Sequence, residues 1–207
     1  MMKIIQTRLS DMPSSLLAEL GSYRYRIFSG DNGWSVPSRL YTPGQEYDRF
    51  DCSAVNWLIA WHPQTGICGC VRLIPWQRTP DSSQRAFHQG AAPVVACEMS
   101  RFSARIEVDP LLPLQLLWHA LQLAQQCGKQ AVICAATPIL EELFSRYQID
   151  YSPVASAQLQ SEEHLFAIRI PVKQPVLAEM FPTSRCFRPE EVLPSLGVSV
   201  NWRRHQR

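Results

Sequence analysis

Leu111-Leu-Pro-Leu-Gln-Leu-Leu-Trp-His-Ala-Leu-Gln-Leu-Ala-Gln-Gln-Cys127 is followed by Gly128 and then by Gln130-Ala-Val-Ile-Cys-Ala135. In the first run Leu112, Leu116, Leu117, Ala120, Leu121 and Ala124 recur at helical spacing, which predicts a long helix with one apolar side. Gly128 suits its C-terminal cap. The second run is short, apolar and unbroken, which predicts a buried strand. Upstream, Val94-Val-Ala-Cys-Glu-Met-Ser-Arg-Phe-Ser103 predicts another strand. Downstream, Pro138–Tyr147 predicts a second helix with its proline in the first turn. Strand, helix, strand, helix in this order predicts a sheet with helices packed on it.

The flanks extend the same pattern. Residues 2–8 predict a short first strand. A helix begins near Pro13 and carries Leu16, Leu17, Leu20, Tyr23, Arg24 and Ile27 along one stripe. Val55–Trp61, the turn Pro63-Gln-Thr-Gly66 and Ile67–Ile74 predict a β-hairpin. A short helix over about 81–88 includes Phe87, and residues 164–171 predict a last strand. Beyond it Pro175, Pro182, Pro189 and Pro194 leave room only for short helical turns. With no repeat, low-complexity tract or linker, the fold class is α/β (α+β), a mixed sheet flanked by helices in one domain, 1–207.

Composition narrows the function. Hydrophobic residues make up 46% of 207 and charged residues 18%, as in a globular protein, and a net charge of +2 does not point to nucleic acid. The seven cysteines are odd in number and include no C-x-x-C, which argues against a zinc site or a disulfide framework. His62, His88, His119, His164 and His205 stand at no metal-ligand spacing, so no metal is expected. The N-terminus has no signal-peptide pattern and no apolar run is long enough for a membrane span, so a cytoplasmic protein without a membrane partner is expected. The P-loop, G-x-G-x-x-G and G-x-S-x-G signatures are missing from the sequence.

What remains is a set of acids, Glu46, Asp48, Asp51 and Glu98, with the arginines Arg24, Arg72 and Arg101. Between Arg24 and Asp51 the chain is rich in Gly, Asn, Asp and Pro, yet it carries Phe28, Trp34 and Tyr41. Aromatic faces and carboxylates together suit an amphipathic cation, and a loop that folds over a ligand would hold them so. The alternative is that the aromatics only pin a long loop to the core. Carboxylates for an amine or sulfonium and arginine for a carboxylate suit a zwitterionic substrate. Taken alone, Arg72 reads as a solvent-facing strand arginine. Strict alternation along 94–103 places Cys97, Met99 and Arg101 on one face and Glu98, Ser100 and Phe102 on the other. Glu98 and Arg101 converge only if the strand ends or bulges between them.

Arg24-x-x-x-Phe28, Gly33-Trp34 and Glu46-x-Asp48-x-x-Asp51 together resemble the N-terminal signature of the LuxI-type acyl-homoserine lactone synthases. Gly69-Cys-Val-Arg72-Leu-Ile-Pro75 is similar to their G-x-x-R-L-L-P strand, Phe87 to the phenylalanine after it, and Glu98-Met-Ser100-Arg101-Phe102 to their E-x-S-R-F. The match covers roughly residues 20–105. Asn32 and Trp76 depart from the usual leucine and threonine.

The resemblance implies a fold like the GNAT N-acyltransferases, a twisted mixed sheet with helices on both sides. It implies S-adenosylmethionine as a substrate, with no cofactor, and an acyl chain delivered by acyl carrier protein. The reaction it implies is amide formation, then lactonisation with release of methylthioadenosine, giving a quorum-sensing signal. Glu98, Arg101 and Asp48 are then the expected catalytic residues, with Glu98 a base acting through a water. Arg24, Phe28, Trp34, Asp51, Arg72, Phe87, Ser100, Phe102 and Ile133 are the expected binding residues. Ile133 stands near the place where some members carry a threonine for a 3-oxo group, so an apolar lining there predicts unsubstituted acyl chains. Lys129, Arg146, Arg185 and Arg188 are candidates to attract the acidic carrier. Two rivals stand beside this reading: a CoA-dependent GNAT N-acetyltransferase and a non-catalytic acyl or nucleotide sensor. The CoA enzymes hold pyrophosphate with a glycine-rich loop, and Arg101–Pro110 has no glycine.

Overall fold

A computed structural model of the protein describes residues 1–31, 43–75, 95–154 and 166–193. The strands are β1 (Lys3–Arg8), β2 (Asn56–His62), β3 (Gly66–Pro75), β4 (Ala96–Ala104), β5 (Ala131–Ala136), β6 (Ser152–Pro153), β7 (Phe166–Pro171) and β8 (Cys186–Phe187). The helices are α1 (Ser14–Arg24), α2 (Leu112–Gln126), α3 (Pro138–Tyr147), α4 (Pro175–Met180) and α5 (Pro189–Val192), with a π-helix (Tyr25–Asp31) continuing α1. The strands form one open sheet in the order β6-β7-β5-β4-β3-β2-β1-β8. β1 with β8 and β4 with β5 are parallel, while β1 with β2, β5 with β7 and β6 with β7 are antiparallel. The sheet is therefore mixed, as the strand and helix order predicts.

The chain gathers into two compact units, and β3 and β4 contribute residues to both. The first holds Met1–Arg72, Arg101–Leu116 and the described residues from Arg185 on. Its core is Ile4, Ile5, Leu16, Leu20, Tyr23, Trp57, Leu58 and Ile59, all buried. The second holds the described residues of Leu73–Ser100 and Leu117–Ser184. Its core includes Leu117, Leu121, Val132, Ile133, Ile168 and Ile170.

Local chemistry explains the element ends. Gly128 takes a left-handed φ of 72°, so the amide of Lys129 reaches back to the carbonyl of Ala124 at 2.9 Å and that of Gly128 to Gln125. That pairing closes α2 in a Schellman motif. α3 begins at Pro138, and the Thr137 hydroxyl accepts from the amide of Leu140, an N-cap. The described part of the tail is more regular than its prolines predict, because Cys186 and Phe187 pair in parallel with Ile4 and Ile5.

The backbone of β4 is irregular at Arg101. Arg101 has a φ of 52°, a left-handed conformation uncommon for a residue with a side chain. A left-handed residue inside a strand re-aims the side chains around it. Trp34, Tyr41, Phe87 and the helix expected at 81–88 lie outside the described residues. Among the described residues no helix is long and apolar enough to cross a membrane.

Candidate active site

α1 delivers Arg24 to the interior of the first unit, where 1% of its side chain is exposed. The segment 43–51 comes to meet it. The Glu46 amide donates to the Gly21 carbonyl at 3.0 Å, and the Tyr47 hydroxyl donates to the Leu17 carbonyl at 3.0 Å. Tyr47 lies so close over Gly21 that any Cβ there would overlap its ring. Glycine at 21 therefore lets the acid-bearing segment lie flat on α1. Asp48 and Asp51 also fix their own loop, since Asp51 accepts from the Asp48 amide and Asp48 from the Phe50 amide, each at 2.8 Å.

Three arginines and three carboxylates interlock here. Arg24 donates from Nε to Glu46 at 2.5 Å and from Nη1 to Asp51 at 2.9 Å. Arg72 of β3 clasps Asp48 with both terminal nitrogens, at 2.6 and 2.8 Å, and reaches Asp51 at 2.8 Å. Arg101 of β4 spans Glu46 at 2.9 Å and Asp48 at 2.8 Å. Arg72 is 1% exposed, so the solvent-facing reading of it in isolation is wrong. β3 is buried on both faces from Ile67 to Ile74, so it offers Arg72 no solvent-facing position, and the carboxylates supply what the buried charge needs.

The formal charges of the six groups sum to zero. Burial favours the neutral form of Glu46, yet hydrogen bonds from Arg101 and Arg24 outweigh it and hold the carboxyl below its ordinary range. Asp48 is held low in the same way, chiefly by Arg72. Burial likewise disfavours the charge on Arg72, but Asp48 and Asp51 more than restore it. Both oxygens of Asp48 are occupied by guanidinium groups. Any influence of Asp48 on a bound cation is therefore through its field, not through a free oxygen. Arg101, 16% exposed, is the most open of the six. Nη2 of Arg24 is buried 4.0 Å from Asp48 with no hydrogen-bond partner among the described residues.

Aromatic rings sandwich the network. Arg24 lies 4.9 Å from the Trp57 ring centroid and 6.0 Å from that of Tyr47, and Arg72 lies 5.6 Å from Trp57 and 5.7 Å from Phe50. Arg101 lies 5.4 Å from the ring of Phe28, itself buried. Sequence reasoning counted Glu46 among the acids without giving it a site role, although two arginines meet on it. It read Trp57 only as a β-former. The one signal for Trp57 was its position on the strand beside the one carrying Arg72.

The second unit holds Glu98, which is buried, and Ser100, which is half-buried; Phe102 of the first unit is also half-buried. Glu98 pairs across the sheet with Ile133, and the β4–β5 ladder runs from Ala96 to Glu98. The acid expected to act as base thus stands beside the residue expected to line the acyl chain, at the last pair of that ladder. No group of His, Cys, Asp and Glu among the described residues is arranged to hold a metal ion.

No protein-family model matches the chain. An acyl-homoserine-lactone synthase of Pseudomonas aeruginosa is 29% identical over 188 residues, 84% of this chain and 88% of that protein. One of Ralstonia solanacearum is 32% identical over 153 residues, 65% of this chain and 72% of that protein. Among solved structures, TofI in a ternary complex with an inhibitor and MTA superposes with a TM-score of 0.71 at 24% identity, covering 85% of this chain and 95% of TofI. BjaI, a CoA-dependent acyl-homoserine lactone synthase solved with SAM and isopentyl-CoA, gives 0.73 at 17% identity over 96% and 100%. An acyl-CoA N-acyltransferase of Pseudomonas aeruginosa gives 0.59 at 20% identity over 82% and 99%. These structures share the GNAT-like fold that the family resemblance implies. With the charged motif residues in place and a relative above 30% identity matched over most of its length, the chain belongs to the acyl-homoserine-lactone synthase family.

Proposed function

We propose that this acyltransferase condenses S-adenosylmethionine with an acyl thioester on acyl carrier protein to give an acyl-homoserine lactone, a quorum-sensing signal. The observation that carries the reading is the buried Glu98 paired with Ile133, which sets a proton acceptor beside an apolar floor. In the first step the methionine amine attacks the acyl carbonyl carbon and the carbon–sulfur bond of the thioester breaks. The amine must shed a proton to attack. Glu98 accepts it through a water, and the departing thiolate receives a proton to leave as thiol. In the second step the methionine carboxylate attacks its own γ-carbon. The sulfonium keeps the electron pair of the bond that breaks and departs as neutral methylthioadenosine. Arg101, the most open of the three network arginines, is assigned the substrate carboxylate, with Arg24 behind it. Phe28 and Trp34 supply aromatic faces for the sulfonium and adenine. Asp51 and Arg72 are assigned to brace the acids, Ser100, Phe102 and Phe87 to bind substrate, and Ile133 to line the acyl chain.

The carrier-bound donor is favoured over CoA by the start of α2. Asp109 accepts from the Leu111 amide at 2.9 Å with its side chain, and its carbonyl accepts from the Leu112 amide at 3.0 Å. A carboxylate already seated on the Leu111 amide opposes a pyrophosphate in the same place. The chain acts as one domain, 1–207, in the cytoplasm, without nucleic acid or membrane. All seven cysteines are free thiols, which suits a reducing compartment.

The test is incubation with S-adenosylmethionine and matched acyl-carrier or acyl-CoA donors, read by mass spectrometry. Lactone and methylthioadenosine are expected, more from the carrier donor. Binding without methylthioadenosine release would instead mark a sensor. Glu98→Gln is expected to lose lactone formation while staying folded, and near-normal turnover would remove Glu98 from its role.

A further inference from the structure

Arg169 of β7 stands directly across from Ile133 of β5, and Ile133 stands across from Glu98 of β4. Residues paired across a sheet project from the same face. Glu98, Ile133 and Arg169 therefore form a row on one face of the second unit, about 4.8 Å apart from strand to strand. Small residues border the row on that face. Ala96 pairs with Ala131 on one side of it and Ala135 with Ala167 on the other. Ala135 is exposed while Cys134 and Ala136, its neighbours in sequence, are buried. The opposite face carries Val132, Cys134, Ile168 and Ile170, all buried and apolar.

Arg169 is half-buried, and its Nε is buried with no hydrogen-bond partner among the described residues. A buried N–H of a charged group ordinarily has an acceptor. Guanidinium donates and never accepts, so what it recognises carries an acceptor oxygen. We propose that Arg169 determines acyl-chain specificity: it donates to an oxygen on the acyl chain, beyond the thioester carbonyl, and so selects oxygenated chains over unsubstituted ones. The inference rests on the acyl-transfer reading above, which puts the reacting carbonyl at Glu98. Arg169 is two strands farther along the row, where the chain rather than the reacting bond lies. Ile133 by itself leaves a chain oxygen unpaired and predicts unsubstituted chains. Arg169 on the same face reverses that expectation by supplying the donor.

The experiment compares acyl and 3-oxoacyl carrier donors of matched length in the wild type, Arg169→Met and Arg169→Gln. Methionine keeps the aliphatic stem without a donor, and glutamine keeps a neutral one. The wild type is expected to favour the 3-oxo donor in kcat/KM. Arg169→Met should reduce that ratio by about tenfold or more, with Arg169→Gln between, since tenfold is the size of one good hydrogen bond. Equal use of both donors by the wild type, or an equal fall for both in Arg169→Met, overturns the proposal. Calorimetric titration with N-acyl and N-(3-oxoacyl)-homoserine lactones reads the same face without turnover. If no donor is turned over but Arg169→Met still selectively loses the 3-oxo ligand, the reaction assignment fails and the Arg169 subsite stands. If neither ligand binds and neither donor reacts, both fall.

Discussion

Glu46 shows what a single carboxylate does in this protein. It is 2% exposed and answers two guanidinium groups, Arg24 and Arg101. Bringing an ion pair out of water costs several kcal/mol per ion, so the network adds little net stability over an apolar core. Removing one partner is different, because a charge is then buried without compensation. Glu46→Gln is expected to destabilise the fold by about 3–5 kcal/mol, read as a lower urea midpoint at unchanged slope. Arg24→Met combined with Glu46→Leu should cost less than the two single changes added, since neither charge is then stranded. A fully additive pair would mean that Arg24 and Glu46 do not hold each other. The motif spacing made these residues legible as a group. Their partners were not legible. Arg72 and Asp48 lie 24 positions apart, and nothing local records that one clasps the other. Arg169 was still harder to see, because its importance comes only from its register with Ile133.

At the scale of elements, β3 explains the glycine of Gly69-x-x-Arg72. A Cβ on Gly69 would lie 2.8 Å from the Ser103 carbonyl oxygen and 2.9 Å from Leu116 Cδ1. A backbone carbonyl cannot swing aside as a side-chain tip can. Gly69→Ala is therefore expected to destabilise by about 1–3 kcal/mol through overpacking. A thermal midpoint within error of the wild type would show that the close approach is not tight in solution. Elements with strong local signals were legible in sequence. α3 runs from Pro138 to Tyr147 as expected, because proline at its first position and a threonine before it fix the start. β8 was not legible, since a two-residue strand has no periodicity and forms only because β1 offers it an edge. The π-helix after α1 was missed for a related reason. The stripe from Leu16 to Ile27 fits an α-helix, and only its packing shows the wider turn.

At the scale of the whole molecule, the two units carry different acid sensitivities. In the second, His119 is 4% exposed with its Nε2 2.8 Å from the Ser184 hydroxyl, and burial pushes its imidazole down from 6.5 to about 4. The unfolded chain takes up that proton near 6.5 and the folded one only near 4. Between these values the unfolded state holds more protons, so stability falls as pH drops. In the first unit Glu46 and Asp48 ionise below their ordinary range, because arginine hydrogen bonds outweigh burial. Their contribution is complete above about pH 4–5 and is lost as pH falls through their lower folded values. Urea midpoints measured across pH should therefore decline in two stages, a shallow one below pH 6.5 and a steeper one below about pH 4. His119→Gln should flatten the upper stage and leave the lower in place, while Glu46→Gln should weaken the lower stage only. A wild-type midpoint that stays level between 6.5 and 4 would show that His119 is not held neutral by burial.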